Sequence, residues 1–496
     1  MAKKGVVLGA NLLTAAASLV FTGIAIRGAG AANYGAFVVI GSIVTFLYGV
    51  APLGLDFPFK RRFAIDYGRP ANRWETFAPQ FVCEMAIAGG MAAICFLFAD
   101  KIGALFHLGA FPAWSIPGYL LCYVLFGQCT DYFRYSLRIF TSVSLSVLFV
   151  WVQIALAASW WKLTGQLTLP GLFGTLLVAL ALTVLPTGVI IYRELNPRGW
   201  PISLHRLRTD FGIGYPVTLS FVLDHLLNSS GRYLLASMVS IAAVAHYNAA
   251  LLIANLALLI PRASTTVLQP LMSQYFDSGR PEVARLLLLW TTRLYIAFAV
   301  PFVVGACVLG KIVLTAFATA EVASQADYVL PLLAAGFACS GLTVLWSNAL
   351  FVRLDMQAQM RINAWSAGLI VVLTCLGLAF WRSATVPAAA CALCYALAGG
   401  LMFRQIDSEW HVRRVGDVLV RSLVAAAAMA TAVWAIKPML VELKIGLALT
   451  ALITIGVAVY AGVGALLGLP ARLKQSQGEN LFNPALASEA VQSGRP

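Results

Sequence analysis

Asn248, Asn255, Arg262 and Gln269 recur at every seventh position through a stretch whose other residues are mostly apolar. A seven-residue step drifts only about 20° around an α-helix, so an unbroken helix would hold these side chains in one polar row. The arginine decides what chemistry the row could do. Its charge is permanent and its planar fork matches the oxygens of a phosphate, while the amides beside it can hydrogen-bond a polar ligand. Upstream stand Asp224, Asn228 and Arg232 at steps of four, with His225 next to the aspartate. An acid and an imidazole in an apolar helix suit proton or cation coupling, which makes Asp224 and His225 the coupling candidates. Near the amino terminus Asn11, Thr14, Ser18 and Thr22 share one helix face, and Arg27 closes that stretch.

The elements that must position these residues follow from composition. Of 496 residues, 60% are hydrophobic and 11% charged, whereas a soluble domain carries about 25% charged residues. That excludes an ordinary soluble globule and a disordered chain. A membrane-spanning helix takes about 20 residues, and hydropathy places such spans at 6–26, 34–55, 77–99, 114–133, 139–161, 168–192, 211–231, 243–268, 287–309, 328–350, 363–381, 385–404, 418–436 and 443–467. The expected fold class is an all-α polytopic membrane protein of about fourteen transmembrane helices.

Charge orients it. With the amino terminus inside, Lys and Arg favour the inner flanks by about three to one, as short cytoplasmic loops require. Both termini are then expected to be cytoplasmic. The net charge of +14 is spread over many short inner segments, so it is topogenic and no nucleic-acid partner is expected. The basic loop at 193–210 divides the chain. It separates a six-helix lobe at 1–192 from a second at 211–404, followed by an extra helix pair at 405–467 and a polar cytoplasmic tail at 468–496. Two such six-span units suit transporters built from parallel repeats.

Polar groups within spans have two readings. The neutral row on the first span serves either a hydrated cavity or interhelical glue of about 0.6 kcal/mol per pair. Arg262 costs at least about 2.5–3.5 kcal/mol at mid-span, and no acid on its own helix can reach it. Its partner is therefore an anionic ligand in a solvated cavity or an acid from another helix. Asp224 could instead pair with Arg262 or with the surroundings of Arg232. Arg27 and Arg232, near predicted outer ends, could snorkel to water. Glu84 and Asp131 stand near inner ends, where water and Arg134 or Arg138 would hold them.

Several chemistries are missing. Gly305, Gly310 and Lys311 start like a phosphate-binding loop, but Ile312 stands where a magnesium-binding hydroxyl is needed. Cys391 and Cys394 form a CxxC without a second pair or a nearby histidine, so neither a metal site nor a cofactor is expected, and the nine cysteines read as small packing residues. No nucleophile motif and no acid pair in a large outer loop is present, so no catalytic residue is expected and the chain is not read as an enzyme.

Three blocks carry a resemblance: the opening helix with Arg27-Gly28-Ala29-Gly30-Ala31-Ala32-Asn33-Tyr34-Gly35-Ala36-Phe37, then Asn228-Ser229-Ser230-Gly231-Arg232, and Tyr247-Asn248-Ala249-Ala250 followed by Pro261. With the topology, they make the chain resemble the Wzx-type polysaccharide flippases of the multidrug/oligosaccharidyl-lipid/polysaccharide (MOP) exporter superfamily, which also holds the MATE exporters. The resemblance implies MATE-like lobes around a cavity lined by helices 1, 2, 7 and 8, in the bacterial inner membrane. It implies a substrate of oligosaccharide on undecaprenyl diphosphate, flipped during exopolysaccharide, capsule or O-antigen synthesis. Membrane lipid, a polysaccharide polymerase and export machinery are the candidate partners. Arg262, Asn255, Asn248, Gln269, Asn228, Arg232, Asn11, Ser18 and Arg27 are the candidate cavity residues. The alternatives are a MATE-like cation-coupled small-molecule exporter and a membrane-embedded polysaccharide polymerase.

Overall fold

In the computed structural model, residues 2–474 are described apart from 57, 60–61, 64–72, 110, 137, 198–203, 354, 411 and 441–443. Most of the basic loop at 56–76, the middle of the 193–210 linker and the tail beyond 474 thus lie outside the described residues. Among the described residues the chain is helical throughout and no strand occurs.

The helices are α1 (Ala2–Val50), α2 (Arg73–Leu97), α3 (Ala99–Leu105), α4 (Ser115–Tyr135), α5 (Ile139–Thr164), α6 (Leu169–Leu195), α7 (Leu204–Met238) and α8 (Ile241–Ala254). A 3₁₀ turn at Asn255–Leu258 leads into α9 (Leu259–Asp277). The chain continues through α10 (Pro281–Phe317), α11 (Ala320–Gln325), α12 (Val329–Val352), α13 (Met356–Phe380), α14 (Thr385–Trp410), α15 (Gly416–Ile436), α16 (Ile445–Leu466) and α17 (Leu469–Lys474).

Every span read from hydropathy falls mostly on these helices, the one at 243–268 running over α8, the 3₁₀ turn and α9. Among the described residues eleven helical stretches are long and apolar enough to cross a membrane. One of the eleven, Leu13–Val50, holds the first two expected spans, divided at Gly30, whose φ of 78° no β-carbon-bearing residue adopts easily. The two remaining expected spans, α4 and α7, have the length but carry more polar residues. Local chemistry sets the ends. Thr168 caps α6 by accepting from the Gly171 amide, and Asn196 ends it in the left-handed conformation. Gly165 does the same for α5.

The chain divides into two compact units, Met1–Asn248 with Leu378–Ser383, and Ala249–Gly377 with Ala384–Pro496. In the first, α1 packs on α5, α4 and α7, while α2, α4, α5 and α6 pack around one another. Its aromatic centre stacks Phe59, Phe63, Phe77 and Tyr132. In the second, α12 lies against α14 and α10, and α15 against α10 and α16. A β-carbon on Gly336 would come within 3.0 Å of the Ala392 backbone, so small residues set that approach, as between membrane helices generally. Cys391 and Cys394 are buried at this same contact as free thiols, in keeping with their reading as packing residues.

One long-range ion pair ties the first unit. Arg62, beyond α1, grips Asp210 of α7 with both terminal nitrogens, the first at 2.7 Å from Oδ1 and the second on Oδ2. Asp210 is buried and Arg62 half-buried. Breaking a fully buried pair costs about 3–5 kcal/mol and an exposed one at most about 1. Asp210→Asn is therefore expected to lower stability by about 1–3 kcal/mol, read as a drop in melting temperature in detergent. The charge-swapped double variant, Arg62→Asp with Asp210→Arg, should recover part of it, and unchanged melting of the single variants would refute the role.

Candidate functional site

The break at Gly30 folds the two halves of α1 back on each other and brings Thr22 to Tyr34, with Thr22 Oγ1 3.1 Å from the Tyr34 hydroxyl. Asn248 of α8 donates its Nδ2 to the same hydroxyl at 2.8 Å. Proton counting fixes the direction of this chain. The Thr22 hydroxyl gives its hydrogen to the Ser18 carbonyl at 2.9 Å, so it can only accept from Tyr34. Ser18 in turn gives its hydrogen to the Thr14 carbonyl. The relay Asn248 to Tyr34 to Thr22 thus spends its donors on protein, and Tyr34 is only 2% exposed. In this arrangement Thr22 joins the two halves of α1, while Ser18 bonds within its own helix.

A charge lies beside this relay. Arg232 of α7 donates Nη1 to Ser42 Oγ at 3.0 Å, and it sits within electrostatic range of Tyr34, Tyr233 and Tyr247. Ser42 is buried and hands its own hydrogen to the Val38 carbonyl. Arg232 Nε is enclosed without a partner. Among the described residues no carboxylate pairs with Arg232, so a half-buried cation stands here without a counter-charge. Such a charge is costly unless an anion joins it.

The other candidates of the first unit fall around this centre. His225 is buried, its Nε2 2.9 Å from the Tyr233 hydroxyl and its ring against Phe46. Asp224, one residue earlier and about 100° around the helix, is exposed. The two coupling candidates thus face different surroundings. Asn228 turns its Nδ2 back to the Asp224 carbonyl at 2.8 Å. Arg27 is exposed just before the Gly30 break. The side chain of Asn11 lies outside the described residues.

In the second unit the expected polar row is interrupted. The 3₁₀ turn begins at Asn255 itself, and such a turn advances about 120° per residue in place of 100°, so Asn248 and Arg262 do not share one continuous α-helical row. The cause is Pro261. A proline ring displaces the carbonyl four residues earlier, here that of Ala257, and supplies no amide to it. Asn255 and Gln269 are half-buried and Arg262 is exposed on α9. Among the described residues Arg262 has no ion pair and no side-chain hydrogen bond.

Sequence reasoning missed Ser42 and Tyr233. Tyr34 and Ser42 are eight residues apart, two helical steps of four, so the shared face was available as a signal; Tyr233 had none beyond its place beside Arg232.

No family model and no curated protein sequence matches this chain. Solved structures do. The chain superposes on the lipid II flippase MurJ in an inward closed conformation with a TM-score of 0.72 at 11% identity, covering 94% of this chain and 98% of that one. An inward-facing multidrug resistance MATE family transporter of the MOP superfamily gives 0.63 at 14% identity, over 82% and 95% of the two chains. An outward-facing form of such a transporter gives 0.55 at 12% identity, over 84% and 95%. The chain shares the fold of these MOP-superfamily transporters.

Proposed function

We propose that this chain flips an oligosaccharide carried on a polyprenyl diphosphate across the bacterial inner membrane, in exopolysaccharide, capsule or O-antigen assembly. The observation that carries this reading is Arg232, a half-buried guanidinium with an enclosed, unpartnered Nε and, among the described residues, no carboxylate paired with it. A diphosphate is a doubly suited ligand, because it supplies both the missing charge and several acceptor oxygens. The MurJ-like fold over nearly the whole chain supports a lipid-linked substrate.

In this mechanism the chain alternates between arrangements that open to either side of the membrane. Arg262, exposed and without an ion pair among the described residues, gives the diphosphate its first contact. Asn255 and Gln269 meet the sugars, and Arg232 holds the charge while the cavity changes sides. A cation exporter is the competing reading, and two unpaired arginines would repel its cargo.

The test is flipping of a diphosphate-linked oligosaccharide in proteoliposomes. Arg262→Ala is expected to lower the rate about tenfold, the worth of about 1.4 kcal/mol, with Arg262→Lys in between because it keeps charge without the fork. Wild-type protein that exports small cations and flips none of several lipid-linked substrates would overturn the reading.

A further inference from the structure

Within the first unit a second polar row runs along α2. Thr76, Gln80 and Glu84 follow each other at steps of four, and all three are buried. Glu84 lies about 16 Å along the helix from Arg73 at 1.5 Å per residue, and is 3% exposed. The sequence suggested that water and arginines would hold this acid. The structure gives the arginines elsewhere: Arg134 pairs with Asp131 at 3.4 Å, and Arg138 with Glu194 at 2.7 Å.

What Glu84 receives is neutral. Gln128 of α4 donates its Nε2 to Glu84 Oε2, and Gln80 offers its own Nε2 to that oxygen at 3.4 Å. The charged and titratable groups of the packed elements do not supply a cation. Asp131 on α4 and Asp56 beyond α1 act on Glu84 with like charge, Arg134 is engaged by Asp131, and Tyr48 and Tyr123 are uncharged phenols nearby. Among the described residues no Lys, Arg or His pairs with Glu84.

Two further observations point to a ligand. Gln80 Oε1 is buried without any hydrogen-bond partner, on the same amide that faces the acid. And a small cavity beside it is lined by Arg62, Asp210, Thr76 and Gln80. An acceptor without a donor beside an acid without a cation lacks one hydrogen between them. The two ends of a glutamine amide exchange places by a half-turn, after which Oε1 would accept from a carboxylic O–H.

We propose that Glu84 is a proton-binding site, loaded through the cavity at Arg62, Asp210 and Thr76, with Gln80 as the amide that turns to follow the proton. The proton comes from water onto a Glu84 carboxylate oxygen and returns to water on release. A metal cation fits poorly, since among the described residues no group of three or more acidic, histidine or cysteine side chains gathers to hold one. The site stands apart from Asp224 and His225. It rests on the transport reading only for the use made of the proton.

Infrared titration of the purified full-length protein in lipid nanodiscs tests it without substrate. Wild type should show a protonated-carboxyl band that grows and fades reversibly with pH. That band should be lost in the nearly isosteric Glu84→Gln and kept in Asp131→Asn. Gln80→Leu, which removes the acceptor while leaving the acid, should shift the band and its titration. An unchanged band in Glu84→Gln or in Gln80→Leu would overturn the proposal, as would a titration displaced by sodium at constant ionic strength. Failure of flipping in proteoliposomes leaves this readout untouched, so the two readings fail separately.

Discussion

Replacing Arg232 with methionine is expected to make the substrate-free protein more stable and, on the proposed function, nearly to abolish flipping. The stability gain comes from removing a half-buried charge that has no counter-ion among the described residues. Ser42, its hydrogen-bond acceptor, already donates to the Val38 carbonyl, so no donor is orphaned. Apolar replacement of buried charge commonly gains about 1–4 kcal/mol; with Arg232 half-buried, about 1–2 kcal/mol is expected, seen as a higher melting temperature. The loss of activity comes from the same vacancy. Removing one side of a buried charge-assisted contact costs about 2–5 kcal/mol, and about 3 kcal/mol is a hundredfold in binding. Flipping should therefore fall about a hundredfold, with Arg232→Lys restoring a part. A residue kept for folding would do the reverse, melting lower with flipping intact, and that outcome would reject Arg232 as the anion site.

The spans were legible because each is a sum over some twenty side chains, and local exceptions average out. Even α4 and α7, more polar than the rest, were read as spans and are helices of the expected length. The site was legible only in pieces. Arg232 and Asn248 stood out as polar residues in apolar helices, yet which of them would be left without a partner depends on residues far along the chain. Arg232 meets Ser42 across 190 positions and Asn248 meets Tyr34 across 214, and no periodicity encodes such pairings. The heptad row failed for a local reason that was in plain sight. Pro261 lies between Asn255 and Arg262, and a proline inside a helix disturbs the turn before it. Glu84 misled in the opposite way, since proximity in sequence to a loop suggested hydration while packing of α4 over α2 removed it.

Gly54→Ala is the second change with a large expected effect, and it acts on shape. Gly54 lies just past the end of α1 with φ at +76°, and a β-carbon built there would overlap the carbonyl oxygen of Gly214 in α7. The reverse holds as well, for a β-carbon on Gly214 would overlap the Gly54 carbonyl. Both obstacles are backbone, so no side chain can swing aside. The left-handed conformation costs about 1–2 kcal/mol for an L-residue, and forced overlap about 1–3 more, which together disfavour this contact by roughly 2–5 kcal/mol. A shift of about 3 kcal/mol changes a two-state population about a hundredfold. On the proposed function, in which the chain alternates between arrangements, Gly54→Ala should drive it out of this one. Spin labels at exposed Thr45 and Val217, in a cysteine-free background, should then report a longer distance, with flipping reduced. Gly109→Ala separates the two causes. Gly109 has φ at +66° but nothing within 4 Å of an added β-carbon, so it carries the backbone strain without the overlap. It should leave the label distance unchanged. If both variants lengthen it equally, or neither does, the glycine contact is not what holds α1 to α7.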